Sequence, residues 1–111
     1  MKTIIGLTET VTIYSNKTKH KAVARVDTGA SKSSIDSSLA AELELGPAFK
    51  HTVVKSAHGT KQRPVLKVKI GIAGRFMENY FTVADRAHMK YKILIGRNIL
   101  RKEFLIDPMK K

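Results

Sequence analysis

The sequence predicts an all-β fold, a small closed or partly closed β-barrel with one or two short helices. Three observations predict it: short apolar runs rich in β-branched residues, frequent turn residues between them, and little helical periodicity. With 111 residues, the chain is expected to form one domain, residues 1–111. A core of this size is modest, so burial at a subunit interface would add to its stability.

Short apolar segments follow one another along the chain as candidate strands. Residues 65–72 alternate apolar and polar side chains, the period of a half-buried strand. A turn at residues 15–17 and a reversal at residues 71–74 separate neighbouring runs. The predicted strands are residues 11–14, 22–26, 65–72, 76–83, 93–95 and 104–106.

Helical signal is limited to two stretches. Asp36 or Ser37 can cap a helix over residues 38–43, which Gly46 and Pro47 would end. Residues 98–103 form the second candidate. Both helices are predicted to be short additions to the barrel.

The charge of the chain is strongly basic, with 21 Lys and Arg against 9 Asp and Glu, a net charge of +12. Such a surface attracts nucleic acid, ribosomes or acidic polypeptides, although it can also serve solubility alone. Aromatic residues make up only 6% and no RNP-like or helix-turn-helix pattern occurs, which disfavours a dedicated nucleic-acid-binding protein. With no cysteine, no signal peptide and no membrane-spanning run, the chain is expected to be cytoplasmic.

The stretch VDTGAS, residues 26–31, places one carboxylate between an apolar run and a glycine. The strand would fix the position of Asp27, Gly29 permits a sharp bend, and the Thr28 hydroxyl can bond nearby backbone. Asp-Thr-Gly can also be ordinary turn chemistry. A second segment, ILIGRNIL at residues 93–100, follows some 65 residues later.

Together these two segments resemble the retropepsins, the single-lobe aspartic proteases, in order, spacing and total length. Within that fold the chain looks most like the family labelled ATP-dependent zinc proteases, whose members often neighbour RimK-type ligases that add glutamate to ribosomal protein tails. That resemblance runs over residues 20–108. It rests on the segments SAHG at residues 56–59, QRPV at 62–65, ADR at 84–86, LIGR at 94–97 and FLIDP at 104–108.

The resemblance implies that Asp27, Thr28 and Gly29 form the catalytic tripeptide. Aspartic proteolysis needs two neighbouring carboxylates that share one proton, and this chain has one Asp-Thr-Gly. A homodimer with twofold symmetry would supply the second carboxylate from the other copy. In it, Thr28 would tie the two active-site loops together and Gly29 would meet the substrate backbone.

The resemblance also assigns substrate-binding and supporting roles. Residues 54–63 would form a flap that closes over substrate. Arg97 would make a structural ion pair; retroviral enzymes offer it an Asp at the position of Ser31, so Asp85 or Asp107 is the expected partner here. The implied substrate-binding residues are Ala30, Ser31, Ala57, His58, Gly59 and Arg63, and the implied supporting residues are Ser33, Ile35, Gly96 and Arg97.

Neither metal nor cofactor is expected, despite the zinc and ATP in the family label. The chain has no HExxH motif and no Cys, and it contains no Walker-type loop. Its four histidines stand apart in the sequence, at His20, His51, His58 and His88.

The function expected from these patterns is that of a homodimeric aspartic endopeptidase, acting on polypeptides that could be acidic or extended with glutamate. Lys61, Arg63 and Arg86 are the basic residues expected to meet such a substrate. The alternative is a non-catalytic retropepsin-like module that binds peptides or the ribosome.

Overall fold

The computed structural model describes residues 1–16, 18–56 and 59–110. Its strands are β1 (Thr3–Ile5), β2 (Thr8–Tyr14), β3 (Lys19–Val26), β4 (Ser33–Asp36), β5 (Lys50–Ser56), β6 (Gly59–Ile72), β7 (Arg75–Ala84), β8 (Ile93–Ile95) and β9 (Phe104–Ile106). Its helices are α1 (Ser37–Glu42) and α2 (Arg97–Glu103).

Six strands close into a barrel in the order β2-β3-β8-β4-β7-β6, because β6 also pairs with β2. Strand β5 adds to β6 as an antiparallel hairpin. Strand β8 lies parallel to β3 and antiparallel to β4, which brings the two sequence segments with the retropepsin-like motifs side by side. The predicted barrel with two short helices is therefore confirmed.

The core follows the period of the strands. In β6 the residues Val68, Ile70 and Ile72 point inward and are at most 2% exposed, while Lys67 and Lys69 between them face solvent. Ile35 on β4 and Phe81 on β7 fill the middle of the barrel and are at most 1% exposed. Burying an aliphatic side chain of this size contributes about 1.5–3 kcal/mol, so these positions account for much of the stability.

The chain ends meet in a separate two-stranded parallel sheet, in which β1 pairs with β9. Ile5 is fully buried, whereas the paired residues Ile4 and Leu105 leave 52% and 54% of their surface exposed. The sequence did not predict β1, although the equally short β8 and β9 were predicted from their apolar runs.

All six predicted strands occur in the structure, although β2, β3 and β6 begin three to six residues earlier than predicted. Asp36 caps α1 by accepting a hydrogen bond from Leu39 N at 3.2 Å, one of the two caps that the sequence allowed. Strands β4 and β5 were not predicted. The turn predicted at residues 15–17 lies partly outside the described residues. The two helices have six and seven residues, and no helix in the described ranges could cross a membrane.

Candidate active site

The carboxylate of Asp27 lies where β3 ends and the chain turns away from the barrel. Asp27 N donates a hydrogen bond to Ile95 O at 2.9 Å, which continues the pairing of β3 with β8 by one residue. Asp27 Oδ1 accepts a hydrogen bond from Gly29 N at 2.9 Å. The side chain is half-buried, and Thr28 and Gly29 are exposed. Asp27 is thus held by its own loop and remains open to solvent.

Behind this loop, Ser33 joins the two motif segments. Its side chain is fully buried; Ser33 Oγ accepts a hydrogen bond from Gly96 N at 2.9 Å and donates one to Asn98 Oδ1 at 2.7 Å. Gly96 is required here for space, since a Cβ on it would lie 2.3 Å from Lys32 O. The loop from Asp27 to Ser33 therefore has little freedom to shift.

Arg97 supports the same loop through backbone and side chain. Arg97 N donates to Ala30 O at 2.8 Å, and Arg97 Nη1 donates to Thr28 O at 2.8 Å. The expected ion pair with Asp85 or Asp107 is wrong. Each of those carboxylates accepts a hydrogen bond from a backbone N–H two residues further along the chain. Because Ser31 offers no carboxylate, the guanidinium binds a carbonyl group of the Asp27 loop.

The described residues of the region expected to form the flap, 54–63, belong to the β5–β6 hairpin. Gly59 begins β6 with φ at +112°, a conformation that other residues rarely adopt. Ala57 and His58, two of the implied substrate-binding residues, lie outside the described residues. Lys32 Nζ donates a hydrogen bond to Thr52 Oγ1 at 2.8 Å, and this Lys32–Thr52 bond links the Asp27 loop to β5.

A pocket of about 180 Å³ opens between this link and the barrel wall. Lys32 and Lys50 bring ammonium groups to it, and Lys50 Nζ lies 5.9 Å from the centre of the Tyr80 ring. Buried Val65 and Thr82 contribute to its wall. Its lining is completed by Thr52, Asn79, Tyr80 and Asn98.

The guanidinium of Arg86 lies within reach of the charges of Arg25, Arg63, Asp36 and Asp27. Burial lowers the pKa of the Arg86 guanidinium below its usual value, and the charges of Arg25 and Arg63 act in the same direction. The carboxylates of Asp36 and Asp27 oppose that shift. A guanidinium stays charged even so, so positive charge collects near the half-buried carboxylate of Asp27.

Asp36 fixes the segment that carries Arg86. Its carboxylate is 3% exposed and accepts a hydrogen bond from Arg86 N at 2.8 Å. Burial, the largest influence, raises the pKa of Asp36. Backbone N–H groups of Arg86, Leu39 and Ser38 and the Lys92 charge outweigh it and hold the pKa below its usual value. The carboxylate is thus ionised and anchors both α1 and the β7–β8 connection.

The described residues contain no group of three or more His, Cys, Asp or Glu side chains that could hold a metal ion. The donor set for the zinc of the family label is thus missing from the described part of the chain.

Sequence reasoning missed several residues that the fold brings to this site. Arg25 stands two residues before Asp27, on the outward face of β3, and strand alternation could have indicated it. Lys50 and Tyr80 could not have been found, because β5 was not predicted and the register between distant strands is invisible in the sequence. The missed residues are Arg25, Lys32, Lys50, Tyr80 and Asn98.

Comparison with family models gives a match to "RimB-like: Retropepsin-like aspartic endopeptidase RimB" over residues 38–111, about two thirds of the chain. The match begins after the Asp-Thr-Gly tripeptide. No curated protein matches the chain at a significant level.

Three solved structures share the fold. The protein Lpg0085 of Legionella pneumophila, described as of unknown function (DUF785), is 19% identical with a TM-score of 0.65, and the match covers 95% of this chain and 92% of that one. The simian foamy virus (mac) protease is 20% identical with a TM-score of 0.63, covering 85% and 91%. The EIAV protease complexed with the inhibitor HBY-793 is 26% identical with a TM-score of 0.66, covering 85% and 84%.

Proposed function

Since the chain belongs to the RimB-like family of retropepsin-like aspartic endopeptidases, we propose that it is itself an aspartic endopeptidase and acts as a homodimer. The single domain, residues 1–111, would supply one carboxylate per copy. The observation that carries the proposal is the setting of Asp27, a half-buried carboxylate on a loop fixed from behind by Ser33 and Arg97. A fixed, solvent-open carboxylate is what a proton-transferring group requires.

In the proposed reaction a water molecule lies between the two Asp27 carboxylates, one ionised and one protonated. The oxygen of the water attacks the carbonyl carbon of the peptide bond, and the ionised carboxylate takes a proton from that water. The protonated one gives its proton to the carbonyl oxygen. Collapse of the resulting diol breaks the C–N bond: the leaving nitrogen takes the proton held by the first carboxylate, and a diol hydroxyl returns a proton to the second, which restores the pair. In each copy, Thr28 and Gly29 would hold the loop and the substrate backbone, and Ala30, Ser31, Gly59 and Arg63 would line the cleft, with Ala57 and His58 at the flap.

We further propose that the substrate is an acidic polypeptide, such as a glutamate-extended tail. The cluster of Arg25, Arg63 and Arg86 near Asp27 supports this, as do the ammonium groups of Lys32 and Lys50 at the neighbouring pocket. As part of the same proposal, the protein is related to the family labelled ATP-dependent zinc proteases, is located in the cytoplasm and associates with the ribosome.

The deciding experiment is cleavage of a peptide pool that includes oligoglutamate-tailed members, from acid to neutral pH, with oligomeric state measured by light scattering. The wild-type dimer is expected to cut, and Asp27→Asn is expected to lose cleavage while remaining folded and dimeric. Glu42→Gln, which removes an exposed carboxylate from α1, is the matched control and should cut normally. Cleavage that survives Asp27→Asn, or a strict monomer that cuts, would refute the dyad.

A second candidate is the non-catalytic binding module, which the pocket lined by Lys32 and Lys50 favours, because it could hold an acidic peptide without any cleavage. In that case acidic peptides would bind equally to the wild type and to Asp27→Asn, and neither would cut them.

A further inference from the structure

A shallow groove of about 340 Å³ crosses the outer wall of the barrel where β2, β6 and β7 meet. Gly71 lies at its centre, paired with Thr12 of β2 on one side and Phe76 of β7 on the other. The Tyr14 side chain covers this glycine, since a Cβ at Gly71 would lie 3.3 Å from the Tyr14 hydroxyl. None of these residues belongs to the site around Asp27.

An aromatic pair borders the groove. The rings of Tyr14 and Phe76 pack edge to face, with centroids 5.2 Å apart. Covering a strand glycine accounts for Tyr14 structurally, since aromatic side chains often shield such positions. It does not account for Phe76, which is 66% exposed. A planar ligand stacked on this ring would remove its apolar surface from water.

Lysines flank the aromatic pair on both sides. Lys19 and Lys21 point outward from β3, opposite Tyr14 and Thr12, and Lys69 lies opposite Tyr14 on β6. Lys19 Nζ is 6.0 Å from the centre of the Tyr14 ring. Within the described part of the chain these three lysines make no ion pair. Their charges are therefore available to an anionic ligand.

Two other cations nearby already have partners. Arg75 lines the groove, but its guanidinium binds Glu103, Thr3 Oγ1 and the Met1 carbonyl. Lys67 pairs with Glu78 at 3.6 Å on the exposed surface. The free positive charge of this face thus comes from Lys19, Lys21 and Lys69.

We propose that this face, defined by Tyr14, Lys19, Lys21, Lys69 and Phe76, binds single-stranded nucleic acid. A base would stack on the exposed ring of Phe76, and phosphates would contact the lysines on either side. Stacked bases and a cationic track are the usual means of binding single strands without sequence preference. An acidic polypeptide would satisfy the lysines but has no planar base to cover Phe76.

The test is fluorescence anisotropy with labelled RNA and DNA oligonucleotides of about twelve nucleotides, long enough for one such site, at several salt concentrations. Phe76→Ala is expected to weaken binding on the order of tenfold with an unchanged salt slope. The double change Lys19→Glu with Lys21→Glu is expected to weaken binding and to flatten the salt slope by about 1.4. The matched control reverses the charges of Lys90 and Arg101, two exposed cations that do not line the groove, by changing both to Glu. The affinity of this control for the oligonucleotide should stay within about twofold of that of the wild type.

If the control and the Lys19→Glu, Lys21→Glu double variant lost the same affinity for the oligonucleotide, binding would reflect general attraction to a basic protein. That result would overturn the proposal. Wild-type affinity in Phe76→Ala would overturn it too. So would displacement of the oligonucleotide by equimolar oligoglutamate of equal length, because the face would then be an acidic-polypeptide site. Asp27→Asn should bind nucleic acid normally, so this proposal and the peptidase proposal fail separately.

Discussion

The Asp27 loop and the β5–β6 hairpin meet at the candidate active site and are held in opposite ways. The loop is fixed by buried Ser33 and by Gly96, which leaves no room for a Cβ. In the described ranges the outer end of the hairpin is formed by the pairing of β5 with β6, and the first four residues of β6 are exposed. One side of the site is preorganised, while the other can adapt to a substrate.

This difference would serve the proposed proteolysis. A carboxylate that moves protons needs a fixed position, because small displacements slow the reaction strongly. A cover over the cleft must open for a long polypeptide, so it gains from few contacts with the barrel. The Lys32–Thr52 bond is a side-chain link between the two regions. Substitutions in the loop should therefore cost stability, and substitutions in the hairpin should cost function first.

The largest effect is expected from Gly96→Ala. The backbone of Gly96 has φ at −99°, which alanine adopts readily, so any cost is steric. An added Cβ would lie 2.3 Å from Lys32 O and 2.9 Å from Ala30 O, both backbone atoms that cannot swing away. We expect a loss of about 3 kcal/mol in the free energy of unfolding. Urea unfolding and peptide cleavage would both show the effect.

Gly59→Ala is the matched substitution in the hairpin. A Cβ there would have no neighbour within 4 Å, but φ of +112° disfavours alanine. We expect about 1 kcal/mol of destabilisation and a larger effect on cleavage than on unfolding. If Gly59→Ala destabilised the protein as much as Gly96→Ala, the proposed contrast between the two regions would be wrong.

An effect about half that of Gly96→Ala is expected at Asp36, which anchors α1 and the β7–β8 connection. Because its folded-state pKa is lowered, its ionisation stabilises the fold above the ordinary value of 3.8, and this contribution is lost as the pH falls through the folded-state pKa. Asp36→Asn should cost about 1.5 kcal/mol at neutral pH, through weaker hydrogen bonds from Arg86 N and Leu39 N. The difference in the free energy of unfolding between Asp36→Asn and the wild type should then become smaller as the pH falls. A gap that stays constant down to pH 2 in urea titrations, with Glu42→Gln as the control, would contradict this account.

The preorganised side was largely predictable from the sequence. Asp27 and Gly96 belong to compact motifs. In long alternating runs such as β6, the alternation of apolar and polar residues predicts which side chains are buried. Strand β4 was missed, although all four of its residues are buried, because three of them are polar. Ser33 and Asp36 bury their polar groups by bonding residues more than 45 positions away, at Gly96 and Arg86. Such long-range satisfaction leaves no local pattern.

The hairpin side was harder to predict for a different reason. Strand β5 begins and ends with polar residues and pairs only with β6, so its sequence carries little periodicity. Lys32 and Thr52 are 20 positions apart in the sequence, and their contact depends on how the hairpin folds back over the loop. The actual partner of Arg97, the Thr28 carbonyl, was equally hidden, because backbone atoms have no signature in a sequence.

The smallest effect on stability, and the sharpest test of the contrast, is expected from breaking the Lys32–Thr52 bond. Lys32→Met keeps the aliphatic stem, and Thr52→Val keeps the shape while leaving the charge of Lys32 in place. Because the bond is exposed, each change should alter the free energy of unfolding by less than about 0.5 kcal/mol. Hydrogen exchange of the β5 amides should nevertheless quicken in both variants, and the double variant should add nothing further. Lys55→Met, at an exposed position of the same strand, is the control. If Lys32→Met slowed cleavage while Thr52→Val did not, the ammonium group would act on substrate directly and the bond would have no part in holding the hairpin.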